Sequence, residues 1–370
     1  MALAQQAASI LLVVAAFLYL GTNISRNLAE SGMTGGFGFL WQEAGFAMSF
    51  SLIEMDETST YGRVFVAGIL NTLFVAVLAL VAATVLGLVI GFMRASSSRP
   101  LRLISSVYVE AFRNVPMLLI LIFVQTVVLR SLPIVREAVS FGDVVHFSNR
   151  GFYFPWPVTD QDLRLSLAAG LAACVGFGAA WILRTRTPIH SWRDLIGSLI
   201  GTILGLIFLG TALGQITWQF PAFSGFDFKG GAKLMPEFAA LLLTLTIYNA
   251  AFIAEIVRAG LQSVDRGQVE AARALGLRNG FIQRRIIMPQ ALRLMVPPIT
   301  NQYVHLVKAS SLATVVGFPD LVAVFLGTSL NQTGRAIEIV AMTAAVYLIL
   351  CLGLGALSAV WNARVSLTER

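Results

Sequence analysis

The run from Val64 to Met93 carries no charged side chain. A helix needs roughly 20 apolar residues to cross a bilayer core, and lipid offers the backbone no hydrogen bonds, so such a run has to be helical. Further apolar stretches recur at Ala8 to Leu20, Leu103 to Leu129, Leu163 to Leu183, Leu195 to Ile216, Leu234 to Leu261, Ala291 to Val307 and Ala336 to Trp361. The expected fold class is an all-α polytopic membrane protein with about eight transmembrane helices. The 57% hydrophobic and 12% charged composition, with mean hydropathy +0.78, agrees.

The formal charge of +7 raises nucleic acid as a partner, but the arginines cluster at span ends without interleaved aromatics, so topology explains the charge better. Placing both ends and the turns at 94–102, 184–193 and 258–293 in the cytoplasm puts 15 of the 26 Lys/Arg inside and nine outside. Membrane lipid is then the surrounding medium. Cys174 and Cys351 both fall in expected spans and read as small buried apolar residues rather than a disulfide. Ala8 to Leu20 lacks a basic n-region and a small-residue cleavage site, which favours an uncleaved span over a signal peptide. Residues 23–62 read as a loop on the membrane surface. Residues 130–162, with Phe152, Tyr153, Phe154, Trp156 and Pro155, read as an ordered external loop rather than a core.

Between two apolar segments lies a polar island, Glu255 to Pro289, and seven arginines fall from Arg258 to Arg293. Within it Gln268 to Leu277 reads as a short helix with Ala271, Ala274 and Leu275 on one face. That compact, small-residue face suits close approach to another protein. Gly276 and Gly280 then make the island helix, bend, helix. An ordinary amphipathic loop is the plainer alternative.

Glu270-Ala271-Ala272, Gly276, Ile286 and Pro289 resemble in spacing the EAA loop of the membrane subunits of bacterial ABC importers. Met288 stands where that family usually has leucine. The resemblance implies that residues 263–290 insert into a groove on a cytoplasmic ATPase, with Glu270, Ala271, Ala272, Leu275, Gly276 and Arg278 as the docking set and Glu270 meeting a basic residue. Asn71-Thr72-Leu73, Tyr108 to Pro116 and Ala251 to Gly260 are similar to the polar amino-acid branch. The extra N-terminal span, the inserted pair of spans and Ser148 to Pro155 resemble the Q-type permease of the general L-amino-acid importers. The implied organisation is an N-terminal span and surface loop in 1–63 and a five-helix type I permease core in 64–130 and 236–362. External loops and the inserted pair occupy 131–235, and a cytoplasmic tail 363–370. The implied partners are a second permease subunit, two copies of the ATPase, a periplasmic amino-acid-binding protein and an L-amino acid, in the bacterial inner membrane.

A P-loop needs Gly-Lys-Ser/Thr, and none of the three lysines, Lys229, Lys233 and Lys308, follows a glycine. ATP and Mg are therefore expected in the partner ATPase. No cofactor, catalytic residue or metal ligand is expected in this chain; His146, His190 and His305 stand apart in the sequence.

Polar residues inside spans mark a candidate substrate path: Asn71, Thr72, Arg113, Tyr248, Asn301, Tyr303, Lys308, Ser310 and Ser311. The stretch Lys308 to Ser311, with Gly317 to Asp320 after it, is a polar break at membrane depth and must line a cavity or be buried in protein. Glu110 with Arg113, and Glu255 with Arg258, are three apart and read as same-face pairs rather than ligand contacts. Ile120 stands where related permeases commonly have glutamine, which shifts side-chain contacts toward the partner permease. Gly87 with Gly91, and Gly197, Gly201 and Gly205, are expected to pack helices closely. An ion-gradient-driven carrier would suit the broken seventh span but would need no docking loop, and no inverted repeat is evident. A structural or sensory membrane protein would suit the glycines alone.

Overall fold

The computed structural model describes residues 36–142, 144–158 and 217–365, together with parts of 11–26. The expected spans at 163–183 and 195–216, their basic turn and the Gly197 series lie outside the described residues. The described part of Ala8 to Leu20 is helical. Contacts divide the chain into a helical unit, Met1–Val127 with Glu237–Arg370, and a second unit, Val128–Pro236.

In the helical unit, α1 spans Tyr61–Arg94 and starts where the Thr60 hydroxyl accepts the Arg63 N–H. Then come α2, Arg99–Arg113, and α3, Met117–Phe123, which widens into π-type turns at Val124–Leu129. The single crossing expected from Leu103 to Leu129 is broken: the two halves meet at 99°. Pro116 disfavours helical geometry at Val115, and Asn114 closes α2. Among the described residues three helices are long and apolar enough to cross a membrane, or four if the bent pair is one span. They are α1, the helix α4 at Pro236–Gln262, and Ala336–Val360 of the last helix.

After α4 come the short helices α5, Arg266–Ala274, and α6, Asn279–Ile282, and then α7, Met288–Ala309, which contains Pro297 and Pro298. The break expected after Val307 is present. Ser310–Leu312 tightens to a 3-10 turn, the four-residue α8 at Ala313–Val316 ends in left-handed Gly317, and Val322–Ser329 is π-type. The one-turn α9, Leu330–Thr333, leads to α10, Ala336–Val365.

What holds α1 and α4 together is an absence of side chain. A Cβ on Gly87 would lie 2.7 Å from Ile253 Cβ, and one on Gly91 2.6 Å from Val257 Cβ. The expected glycine face is thus the seam itself. Asn71 and Thr72, fully buried one turn below Gly68, fasten α1 to the broken segment. Asn71 Nδ2 donates to the carbonyls of Pro319 (2.8 Å) and Phe50 (3.0 Å), and Thr72 Oγ1 accepts the Leu321 N–H at 3.0 Å.

Residues 23–62 were expected to lie on the membrane surface, yet their described part feeds the core. Phe39 and Ala44 are buried with Tyr61, Val64, Leu321, Phe325 and Ile339. Phe50 stacks on Phe74 and lies 5.6 Å from Phe318. Burying the Phe39 and Phe50 rings against Tyr61, Phe74 and Phe318 draws the segment inward.

The second unit corrects the all-α expectation. Short strands β1 (Val139–Phe141), β2 (Val145–Ser148), β3 (Gly151–Phe154) and β8 (Ala232–Leu234) form an antiparallel sheet in the order β1-β2-β3-β8. Strands β4 (Trp156–Val158) and β5 (Thr217–Gln219) pair, as do β6 (Ala222–Ser224) and β7 (Asp227–Lys229). Alternation sorts the faces. Phe147 meets Phe152 and Phe154 on one side, while buried Tyr153 and His146 meet Phe228 on the other. Asp227 accepts from the Tyr153 hydroxyl and, at 2.8 Å, from Lys233 Nζ.

Candidate functional site

The segment expected to dock is built as a capped hairpin. Asp265 caps α5 by accepting the Gly267 N–H at 3.0 Å. At the other end the Leu277 N–H reaches the Ala272 carbonyl (3.2 Å) and the Gly276 N–H reaches that of Arg273 (2.9 Å). This is a Schellman cap, and it needs the left-handed φ of 74° that Gly276 supplies. Gly280, expected as a second interruption, lies instead inside α6 with ordinary helical backbone. The bend therefore falls between α5 and α6, at Leu275 to Arg278.

The hairpin's inner side is apolar: Val264, Ala272 and Ile282 are buried. Gln290 Nε2 donates to Gln268 Oε1 at 2.7 Å and ties α5 to the start of α7. Of the expected docking set, Glu270, Ala271, Leu275, Gly276 and Arg278 are exposed, and Leu275 is 79% exposed. Ala272 faces inward and serves packing. Glu270 has no ion pair among the described residues, so its charge is open to a partner.

Higher on α4, Glu255 gathers cations. Arg258 Nε donates to both of its carboxylate oxygens at 3.1 and 3.2 Å, Arg94 from the end of α1 pairs with it, and Arg113 reaches within 4.0 Å. The Glu255–Arg258 pair expected from spacing forms. The Glu110–Arg113 pair does not: Arg113 turns to Glu255 and lies over the Phe252 ring, 5.2 Å from its centroid. A partly buried carboxylate on another helix, where the local dielectric is lower, outcompetes an exposed neighbour on the same helix despite the two cations already beside it.

The expected path residues separate into two groups. Tyr248, half-buried and about 18 Å along α4 at 1.5 Å per residue, packs on Phe252 with centroids 5.0 Å apart. Asn301 and Lys308 are exposed on α7. With Arg113 they form an accessible strip. Asn71, Thr72, Tyr303, Ser310 and Ser311 bond within the protein. Tyr303 meets Thr84 at 2.8 Å, Ser310 donates to the Val307 carbonyl at 2.7 Å and Ser311 to that of Lys308 at 2.8 Å.

Sequence reasoning passed over His305. It is exposed, its ring is 6.5 Å from that of Tyr248, and it falls between Asn301 and Lys308 at i+4 and i+7, a spacing that could have found it. Asp320, only 1% exposed, was likewise noted only as part of the break. It accepts the Ala323 N–H at 2.8 Å and, at 3.3 Å, the hydroxyl of Tyr347 from α10.

Long apolar helices, a polar break at membrane depth and a capped polar hairpin between two core helices define a helical membrane permease. The chain belongs to the family described as the binding-protein-dependent transport system inner membrane component, whose profile it matches over residues 83–367. It is 45% identical over 372 residues to YhdX of Escherichia coli K12, provisionally named an amino-acid ABC transporter permease protein, covering 99% of this chain and 94% of that one. It is 41% identical over 374 residues to AapQ of Rhizobium johnstonii, a general L-amino acid transport system permease protein, covering 99% and 92%. In fold it is similar to a solved amino acid ABC transporter with histidines, at TM-score 0.50 and 23% identity over 82% of this chain and 95% of that one.

Proposed function

We propose that this chain is the membrane-spanning permease subunit of an ATP-driven amino-acid importer. The observation that carries the reading is the likeness, over nearly the whole chain, to permeases named for amino-acid transport. The exposed docking face on α5 supports it. A second permease subunit completes the pathway, two copies of a cytoplasmic ATPase hydrolyse ATP with Mg, and a periplasmic binding protein delivers an L-amino acid. The membrane is the bacterial inner membrane, which the family's description favours. The core is five helices within 64–130 and 236–362, joined by the N-terminal span and the inserted pair to give about eight crossings.

Physically, the hairpin is stiff because both ends of α5 are capped and Gln268 is tied to Gln290. Force applied at Glu270 and Leu275 therefore passes to α4 on one side and α7 on the other. Tilting these helices would open or close the strip of Arg113, Tyr248, Asn301, His305 and Lys308, whose cations and hydroxyl suit a carboxylate.

Reconstitution with the ATPase, the partner permease and the binding protein tests this. ATP-dependent uptake of an L-amino acid into proteoliposomes is expected, and Glu270→Lys should abolish ATPase capture. Uptake that persists without the ATPase under an imposed ion gradient would favour a secondary carrier instead.

A further inference from the structure

The β-rich unit holds an open cavity of about 430 Å³ lined by Val135, Arg136, Ser140, His146, Phe223 and Phe228, among others. Its size falls within the range of small-molecule sites. His146 is 6% exposed and stacks on Phe228, with ring centroids 4.2 Å apart and planes 19° from parallel. Its Nδ1 lies 2.7 Å from the Ser140 hydroxyl, whose other contact, the Ala138 carbonyl, is at 3.3 Å. A hydroxyl has one proton; in the tautomer that directs it to Nδ1, that nitrogen accepts and the ring proton sits on Nε2. That nitrogen is buried without a hydrogen-bond partner. Orphaned polar atoms in buried side chains are uncommon and call for an explanation.

A second observation points the same way. Arg136, exposed at the cavity's edge, has no carboxylate partner among the described residues and lies over the Phe226 ring at 5.9 Å. A guanidinium, an unpartnered ring nitrogen and two phenyl walls thus converge on one space.

We propose that this cavity binds a small aromatic or branched aliphatic carboxylate, with Arg136 pairing the carboxylate, His146 Nε2–H giving a second hydrogen bond, and the apolar group seated against Phe223 and Phe228. The site is independent of the transport reading.

Calorimetric titration of the full-length protein in lipid nanodiscs with sodium benzoate tests it, with benzamide as the uncharged isostere. Saturable benzoate binding is expected, with benzamide at least about tenfold weaker. Arg136→Gln, which changes an exposed side chain, and Ala222→Trp, which fills the cavity from its wall, should each weaken benzoate about tenfold or more. His146→Phe keeps the stack on Phe228, and it should weaken benzoate while leaving the circular dichroism spectrum unchanged. No saturable heat at millimolar benzoate, equal affinity for benzamide, or unaltered binding in Arg136→Gln would overturn the proposal.

Discussion

Replacing Gly91 with alanine puts a methyl group where α1 and α4 touch. The new carbon would lie 2.6 Å from Val257 Cβ and 2.9 Å from the Ala254 carbonyl oxygen. Carbon atoms rest at about 3.5–4.0 Å, so the helices must part by about 1 Å along this seam. A gap of that size forfeits a quarter to a half of each contact's dispersion energy, and overpacking of this kind costs about 1–3 kcal/mol. Gly353→Ala is the control. Nothing lies within 4 Å of its added carbon, so the substitution gains about 0.5–1 kcal/mol of helix propensity. The two substitutions should therefore shift the midpoint of denaturant unfolding of the purified protein in opposite directions. Adding Val257→Ala to Gly91→Ala should rescue only part of the loss, because it removes the Cγ1 at 2.7 Å but leaves the Cβ at 2.6 Å and the Ala254 oxygen at 2.9 Å. If the two glycine variants moved the midpoint the same way, or if Val257→Ala restored it fully, close backbone approach would not be what holds the seam.

Other perturbations follow from the same contacts. Glu255→Gln leaves Arg94 and Arg258, with side chains 14% and 29% exposed, facing each other without a counter-charge. It should cost about 2–4 kcal/mol in the same unfolding assay, part of it recovered by Arg94→Gln. Glu270→Lys should eliminate ATPase capture in a pull-down while leaving that unfolding midpoint within about 0.5 kcal/mol, since the side chain is exposed. In the β-rich unit, burial pushes the Asp227 carboxyl up, but hydrogen bonds from Lys233 and Tyr153 outweigh this and hold it below the usual 3.8. Its contribution is thus present above that value and is lost as pH falls through the depressed one. Because Asp227 and Lys233 are 37% and 40% exposed, the loss should be no more than about 1 kcal/mol. Tryptophan fluorescence below pH 4 should show it, and Asp227→Asn should remove the dependence.

Much of the helical unit was legible because the signals are local. Apolar runs of span length gave α1, α4 and α10, Gly87 and Gly91 gave the seam, and the polar island gave α5. What escaped depends on distant partners. Strands of three or four residues carry little periodicity, and β3 pairs with β8 across some eighty residues, so an aromatic stretch read as a loop became a sheet. Arg113 chose Glu255 on another helix over Glu110 on its own. Asn71 and Thr72 looked like cavity polar groups because membrane placement makes any buried polar side chain conspicuous, whereas the Pro319 and Phe50 carbonyls take the Asn71 amide protons and Thr72 bonds the Leu321 N–H and the Gly68 carbonyl, leaving Asn71 Oδ1 without a partner among the described residues. The comparisons bear out the family, and the likeness to amino-acid permeases extends over nearly the full chain.

The hydrogen bonds from Asn71 and Thr72 make the Pro319–Leu321 corner a passenger of α1. A shift of α1 relative to α5 would carry that corner with it, and the strain would fall on α7, which links the two. Pro297 and Pro298 leave two adjacent positions of α7 with no N–H to lose, so bending there would break fewer hydrogen bonds than elsewhere in that helix.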